Sequence, residues 1–205
     1  MSKKTRLALA ALAALATLSA APVASAQVAG DLLVRGRLVN IDPANQDTIP
    51  TLDVSVSTKV IPEVDFTYFI SPNLAAELIL TYPQKHNVSA NGGAVGTLKH
   101  LPPTLTLQYR FNDLGLGAFT PYVGAGLNYT RFSSVNLGGG TLSVDKNSFG
   151  LALQAGVDYA IDKTWSVNLD VKKVQIRTDL SSGGTNLGTL KIDPLLVGVG
   201  VGYKF

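Results

Sequence analysis

The stretch Phe149-Gly150-Leu151-Ala152-Leu153-Gln154-Ala155-Gly156-Val157-Asp158-Tyr159-Ala160-Ile161 decides how this chain is read. Its odd-numbered positions are all apolar, whereas the even-numbered ones include Gln154, Asp158 and two glycines. Side chains of a strand point alternately to opposite faces, so this sustained alternation predicts a strand with one apolar face.

The same two-faced text recurs along the chain. Leu32, Val34 and Leu38 oppose Arg35 and Arg37; Val60, Pro62, Val64, Phe66, Tyr68 and Ile70 oppose Glu63, Asp65 and Thr67. Ala76, Leu78, Leu80 and Tyr82 oppose Glu77 and Thr81, and the run from Leu101 to Phe111 opposes Thr104, Thr106, Gln108 and Arg110. Val123, Ala125, Leu127 and Tyr129 alternate with Gly124, Gly126 and Asn128, and the opening stretch comes next. Trp165, Val167, Leu169 and Val171 then oppose Asn168, Asp170 and Lys172, and Leu195 to Phe205 alternates with Gly198, Gly200, Gly202 and Lys204. Eight such segments, each about 10 residues long, match what a tilted strand needs to cross a bilayer.

Connections alternate in length. Ser71-Pro72-Asn73, Asn112 to Phe119 and Asp162-Lys163 are short, whereas 42–57, 83–97, 133–147 and 177–190 are longer polar or Gly-rich links. Every long link therefore falls at one end of the sheet, as in outer-membrane barrels. Tyr109, Phe111, Tyr159, Trp165, Tyr203 and Phe205 lie on the apolar face beside the short turns, the position of an interfacial aromatic girdle. A soluble eight-stranded carrier would turn its apolar face inward instead; the girdle and the export signal described next favour the membrane arrangement. The expected fold is an all-β, eight-stranded antiparallel transmembrane β-barrel.

The chain has 205 residues with 17 Lys+Arg against 14 Asp+Glu, a formal charge of +3. Lys3, Lys4 and Arg6 precede an apolar run from Leu7 to Leu18 and the small-residue pattern Ala24-Ser25-Ala26. That is the layout of a cleaved signal peptide over residues 1–26, leaving residues 27–205 as the barrel. Without those three positives, 14 basic groups face 14 acidic ones, so charge offers no support for nucleic-acid binding. With no Cys and only His86 and His100, a disulfide framework, a thiolate centre and a multi-His metal site are excluded, and no cofactor is expected.

The residues also resemble a family, the outer membrane protein W (OmpW) family, which includes alkane-uptake porins. The resemblance rests on Lys99-His100-Leu101-Pro102-Pro103-Thr104-Leu105-Thr106-Leu107-Gln108-Tyr109, on Pro121-Tyr122-Val123-Gly124-Ala125-Gly126-Leu127-Asn128-Tyr129, and on Lys191-Ile192-Asp193-Pro194 running into Val199-Gly200-Val201-Gly202-Tyr203. It implies a barrel whose narrow lumen passes small apolar molecules, released sideways into the membrane. It also implies that Tyr203 and the final Phe205 act as a signal to the outer-membrane assembly machinery. The expected surroundings are the lipid bilayer and lipopolysaccharide of a bacterial outer membrane.

Three sets of residues follow as candidates. Arg35, Arg37, Glu63, Asp65, Glu77, Arg110, Asp158 and Asp170, with Lys172 and Lys204, carry mixed signs on the polar face and are expected to pair inside a narrow lumen. Pro62, Pro102, Pro103 and Pro194 each remove a ladder donor from a sheet that has no free edge, marking a candidate lateral exit or simple bulges. Leu52, Val54, Val88, Leu137 and Leu142 are apolar residues of the long links, either a hydrophobic funnel or ordinary loop packing. His100 reads as a polar residue near the outer rim with no second strand-borne His, and His86 as part of a polar loop. Nothing around them has the spacing of a catalytic triad. A lipid-modifying barrel enzyme and a surface receptor or purely structural barrel are the alternatives.

Overall fold

The computed structural model describes residues 27–49 and 53–205. The segment read as an export signal, and Leu52, lie outside the described residues. Fifteen strands follow one another: β1 Leu32–Asp42, β2 Gln46–Asp47, β3 Val54–Val56, β4 Lys59–Phe69, β5 Leu74–Leu80, β6 Gln84–Ala90, β7 Gly93–Leu101, β8 Thr104–Arg110, β9 Phe119–Leu137, β10 Leu142–Val144, β11 Asn147–Ala160, β12 Trp165–Val174, β13 Arg177–Ser182, β14 Thr185–Lys191 and β15 Leu195–Lys204.

Eight of them, in the order β1-β4-β5-β8-β9-β11-β12-β15 and back to β1, close an antiparallel barrel. Closure removes the unpaired edge that an open sheet would expose to lipid. The eight alternating segments of the sequence correspond to these eight strands. On β4 the odd positions Ile61 to Phe69 are buried and the even ones exposed, so apolar residues such as Val64 and Phe66 face outward while Glu63, Asp65 and Thr67 face in.

Aromatic rings gather at both ends of the barrel strands. Tyr109 and Phe111, Trp165 and Tyr203, and Tyr203 and Phe205 contact one another with centroids 5.1, 5.0 and 4.8 Å apart, beside the short turns. At the opposite level Tyr129 meets Phe149 at 4.8 Å. Phe149 and Tyr159 are ten positions apart on β11, which is about 33 Å along a strand. Tilted by about 40°, that spans close to 25 Å, the height of the apolar band of such barrels.

The long links differ from the expectation of polar, Gly-rich loops: most of their length is strand. β6 and β7 form a hairpin around Asn91-Gly92, both at positive φ (+49° and +74°), and β13 and β14 form another around Gly183-Gly184. These are the backbone angles that two-residue hairpin turns require. β7 then pairs with the far half of β9, β10 joins β9 to β13, and β2 pairs with β14. β3, from the same link as β2, pairs with β6. Side chains join β2 to β3: Asp47 accepts the Val54 N–H at 2.8 Å, and Asn45 accepts the Val56 N–H at 2.8 Å while donating to its carbonyl at 3.2 Å. The links thus build a second tier of sheet, a crown continuing the barrel beyond its membrane band.

Candidate functional site

The crown encloses apolar side chains. Val54, Val88 and Leu137, from three different links, are each at most 4% exposed and share one cluster with Ile61, Phe132 and Ile176; Leu142 packs against it half-buried. Four of the five loop residues singled out from the sequence therefore meet in one apolar chamber that their own packed side chains fill.

Below the chamber the lumen is filled by charge. Arg35 Nε contacts Asp65 at 2.8 Å, and its Nη atoms reach Glu77 at 2.6 Å and Asp158 at 3.2 Å. Arg37 bridges Glu63 at 2.8 Å with Asp65 and Glu77 at 3.2 Å each, and Arg110 pairs with Asp158. Lys172 lies 3.8 Å from Glu63 and 3.7 Å from Asp170. Lys204 stands apart from this group, at the barrel's lower end beside Asp31. Four cations and five carboxylates are thus packed together, each at most 5% exposed. Desolvated ions hold only where partners satisfy them; neutral residues add hydrogen bonds, while Arg37 Nε and Nη1 make none among the described residues. Gln154 donates to Glu77 at 2.8 Å, Tyr122 to Asp170 at 2.8 Å and Asn168 to Asp158 at 2.8 Å. Arg110 also lies over the Tyr122 and Phe69 rings, 5.0 and 5.3 Å from their centroids. Tyr122, Gln154 and Asn168 had no electrostatic signature in the sequence; their places on inward-facing strand positions were the only clue.

Glycine makes room for the arginines. Gly200 and Gly202 on β15 pair with Arg37 and Arg35 on β1, and a Cβ at Gly200 would stand 2.3 Å from the Gly36 carbonyl oxygen and 2.5 Å from Arg37 Cγ.

Between chamber and plug the wall is interrupted. The β4–β5 ladder ends at Val64 and Leu80, and the β5–β8 ladder ends at Ile79 and Thr104. Pairing resumes only at Gln84 with His100 on one side and, on the other, where Ser57 N–H donates to the Asn87 carbonyl at 3.1 Å. Thr81, Tyr82 and Pro83 thus have no ladder partner among the described residues. Pro62 flanks this seam on one side, its carbonyl accepting from the Thr81 hydroxyl at 3.0 Å; Pro102 and Pro103 flank it on the other. Pro194 is on a different wall. Its carbonyl accepts the Val174 N–H at 3.2 Å and ladders run past it, so it does not border the seam. A cavity with about 20 Å³ of free space joins all these parts: Ile61 and Ile176 from the chamber, Glu63 and Lys172 from the plug, Thr81 and Pro102 from the seam, with Pro194 and His100. It has room for a water or two.

The histidines depart from their sequence reading. His86 is on strand β6, not in a polar loop, and it is the second strand-borne His that the sequence did not reveal. It stacks on His100 with ring centroids 4.6 Å apart and planes 11° apart, both residues 1% exposed. The two sit diagonally on one face of the β6–β7 hairpin, where side chains meet. Both belong to the crown. Burial drives the His100 pKa down to about 3, with His86 and Lys59 adding to the effect. Burial also lowers that of His86, against a hydrogen bond to the Ser57 carbonyl.

A closed eight-stranded barrel with an apolar outer band, aromatic belts and a packed polar interior is a transmembrane β-barrel of the outer-membrane type. Residues 28–205 match the OmpW family, and the chain belongs to it. It is 46% identical to the uncharacterized outer-membrane protein y4mB of Sinorhizobium fredii, covering 94% of this chain and 90% of that one. It is 34% identical to outer membrane protein W of Vibrio cholerae, covering 95% and 97%. Among solved structures it resembles the outer membrane protein OprG of Pseudomonas aeruginosa, with a TM-score of 0.77 at 29% identity over 88% of this chain and 98% of that one. The protein is an outer-membrane barrel of this family.

Proposed function

We propose that the barrel takes up small hydrophobic molecules: they enter the crown chamber from outside, stop at the charged plug, and leave sideways through the seam into the bilayer. One observation carries this reading. The cavity at the foot of the apolar chamber is lined at once by plug residues and by the seam residues Thr81 and Pro102. Inserting an apolar guest among nine buried charges would separate them from their partners, which is unfavourable, whereas passing between unpaired strands into hydrocarbon breaks no ladder bond. Because the cavity is small, a guest must displace side chains, and the seam, lacking backbone bonds, is where displacement is easiest. Lipopolysaccharide would surround the crown.

A lipid-modifying enzyme has less support: His86 Nδ1 is bonded to a backbone carbonyl rather than to an orienting carboxylate.

The test is uptake of a short radiolabelled alkane by cells carrying the barrel, beside single-channel recording in planar bilayers. Wild type should raise uptake while passing little ion current. Pro62→Val together with Pro102→Thr and Pro103→Thr restores ladder donors at the seam and should lower uptake several-fold in a properly inserted barrel. Unchanged uptake in that variant removes the lateral exit, and a large steady ion current in wild type removes the plug.

A further inference from the structure

The polar atoms left without partners beside the seam have a common chemistry. Gln84 lies opposite His100 across the β6–β7 ladder, with His86 on the same face. Gln84 is fully buried; its Nε2 donates to the Tyr82 carbonyl at 3.0 Å and its Oε1 has no partner among the described residues. His86 Nδ1 is 2.9 Å from the Ser57 carbonyl, which accepts only, so Nδ1 carries the proton and the unpartnered Nε2 is a bare acceptor. His100 Nδ1 is unpartnered too, and this ring lines the cavity. A buried acceptor without a donor is costly, and such groups are rare enough in native proteins to need a reason.

We propose that Gln84, His86 and His100 form a hydrogen-bond-accepting station for neutral apolar compounds carrying a hydroxyl group, alkanols and phenols, on their way from the chamber to the seam. This rests on the passage proposed above and names the substrate class it favours. A hydroxyl supplies one donor, to His86 Nε2 or Gln84 Oε1, and its oxygen accepts from a His100 ring nitrogen. An alkane offers no donor. A carboxylate offers none either. Glu63 and Lys172 line the same cavity with opposite charges, which favours a neutral guest over an ion of either sign. The stacked ring planes hold their in-plane lone pairs side by side instead of converging them on one ion, so a hydrogen-bonded guest suits the pair better than a chelated metal.

The chain contains only two histidines, so ¹⁵N-histidine labelling of the intact barrel in lipid nanodiscs gives two imidazoles, assigned with His86→Gln. Titration with 1-octanol should move the acceptor-nitrogen resonance of His86; octane and octanoate should not. In cells, the ratio of octanol to octane uptake should fall about five-fold in the His86→Phe/His100→Phe variant, the loss of about one hydrogen bond. Gln84→Leu should lower it in the same direction. Heat-dependent gel mobility verifies that each variant is folded. Imidazole resonances that respond to octanol no more than to octane, or a ratio unchanged in both variants, overturn the station while leaving apolar uptake intact. If neither probe enters above the barrel-free background yet octanol still moves His86, the station stands and the passage falls.

Discussion

Arg35 Nη2 donates to Glu77 Oε1 across 2.6 Å, joining β1 to β5, two strands that are not neighbours in the wall. The ion pair reaches past the intervening β4, within a group whose carboxylates outnumber its cations by one. The two partners are therefore unequal. Arg35→Gln widens the imbalance and strands buried carboxylates, which should cost about 3–5 kcal/mol. Glu77→Gln leaves four cations facing four carboxylates and keeps an acceptor, and should cost about 1 kcal/mol. Urea unfolding of the barrel in lipid vesicles measures both; equal losses would contradict the imbalance.

Glycines on the two faces of the wall should respond unequally. Gly200→Ala places a methyl against the Gly36 carbonyl, which the barrel ladder holds in place, and should destabilise by about 3 kcal/mol. Gly36→Ala points outward with nothing within 4 Å and should be neutral within about 0.5 kcal/mol. The same unfolding assay compares them.

Acid should weaken the crown through His100. Its folded pKa is about 3, against about 6.5 unfolded, so between those values the unfolded chain binds a proton that the folded one refuses. Stability is unaffected above about pH 6.5 and falls as pH drops toward 3, by roughly 2 kcal/mol at pH 5. His86, also lowered, acts in the same direction. Because buried carboxylates titrate in acid as well, the measurement is the difference between wild type and His100→Phe at pH 7 and pH 5. The variant should lose the less stability of the two.

The single tryptophan, Trp165, reports the membrane boundary. It is 46% exposed on the outer wall, against Tyr203 and beside the turn in which Asp162 accepts the N–H groups of Thr164 and Trp165 at 2.7 Å. Its fluorescence should be quenched more by lipids brominated near the headgroup than by lipids brominated near the chain end. The reverse order would place the belt at the wrong depth.

What sequence alone made legible was whatever is written locally. Alternation from Phe149 to Ile161 assigns each residue to a face because the pleat repeats every two residues, and the short turns set strand order. The polar face could be named in advance, Arg35 and Glu77 included. The Asn91-Gly92 hairpin was legible in principle, since that pair is a strong turn signal. It was hidden because Gln84 and His86, polar residues on an inward strand face, read as loop.

Tertiary structure decided who meets whom. Arg35 reaches Asp158 over 123 residues, and Thr189 N–H meets the Thr48 hydroxyl over 141. Such partners are set by barrel closure and stagger, which no local period encodes. The seam is likewise a matter of neighbours: Pro62, Pro102 and Pro103 were visible as broken donors, but only the register shows that they flank the same unpaired segment and that Pro194 does not. The stacking of His86 on His100 is of the same kind. Two solitary histidines in the sequence become one buried pair because a hairpin places them diagonally on a single face.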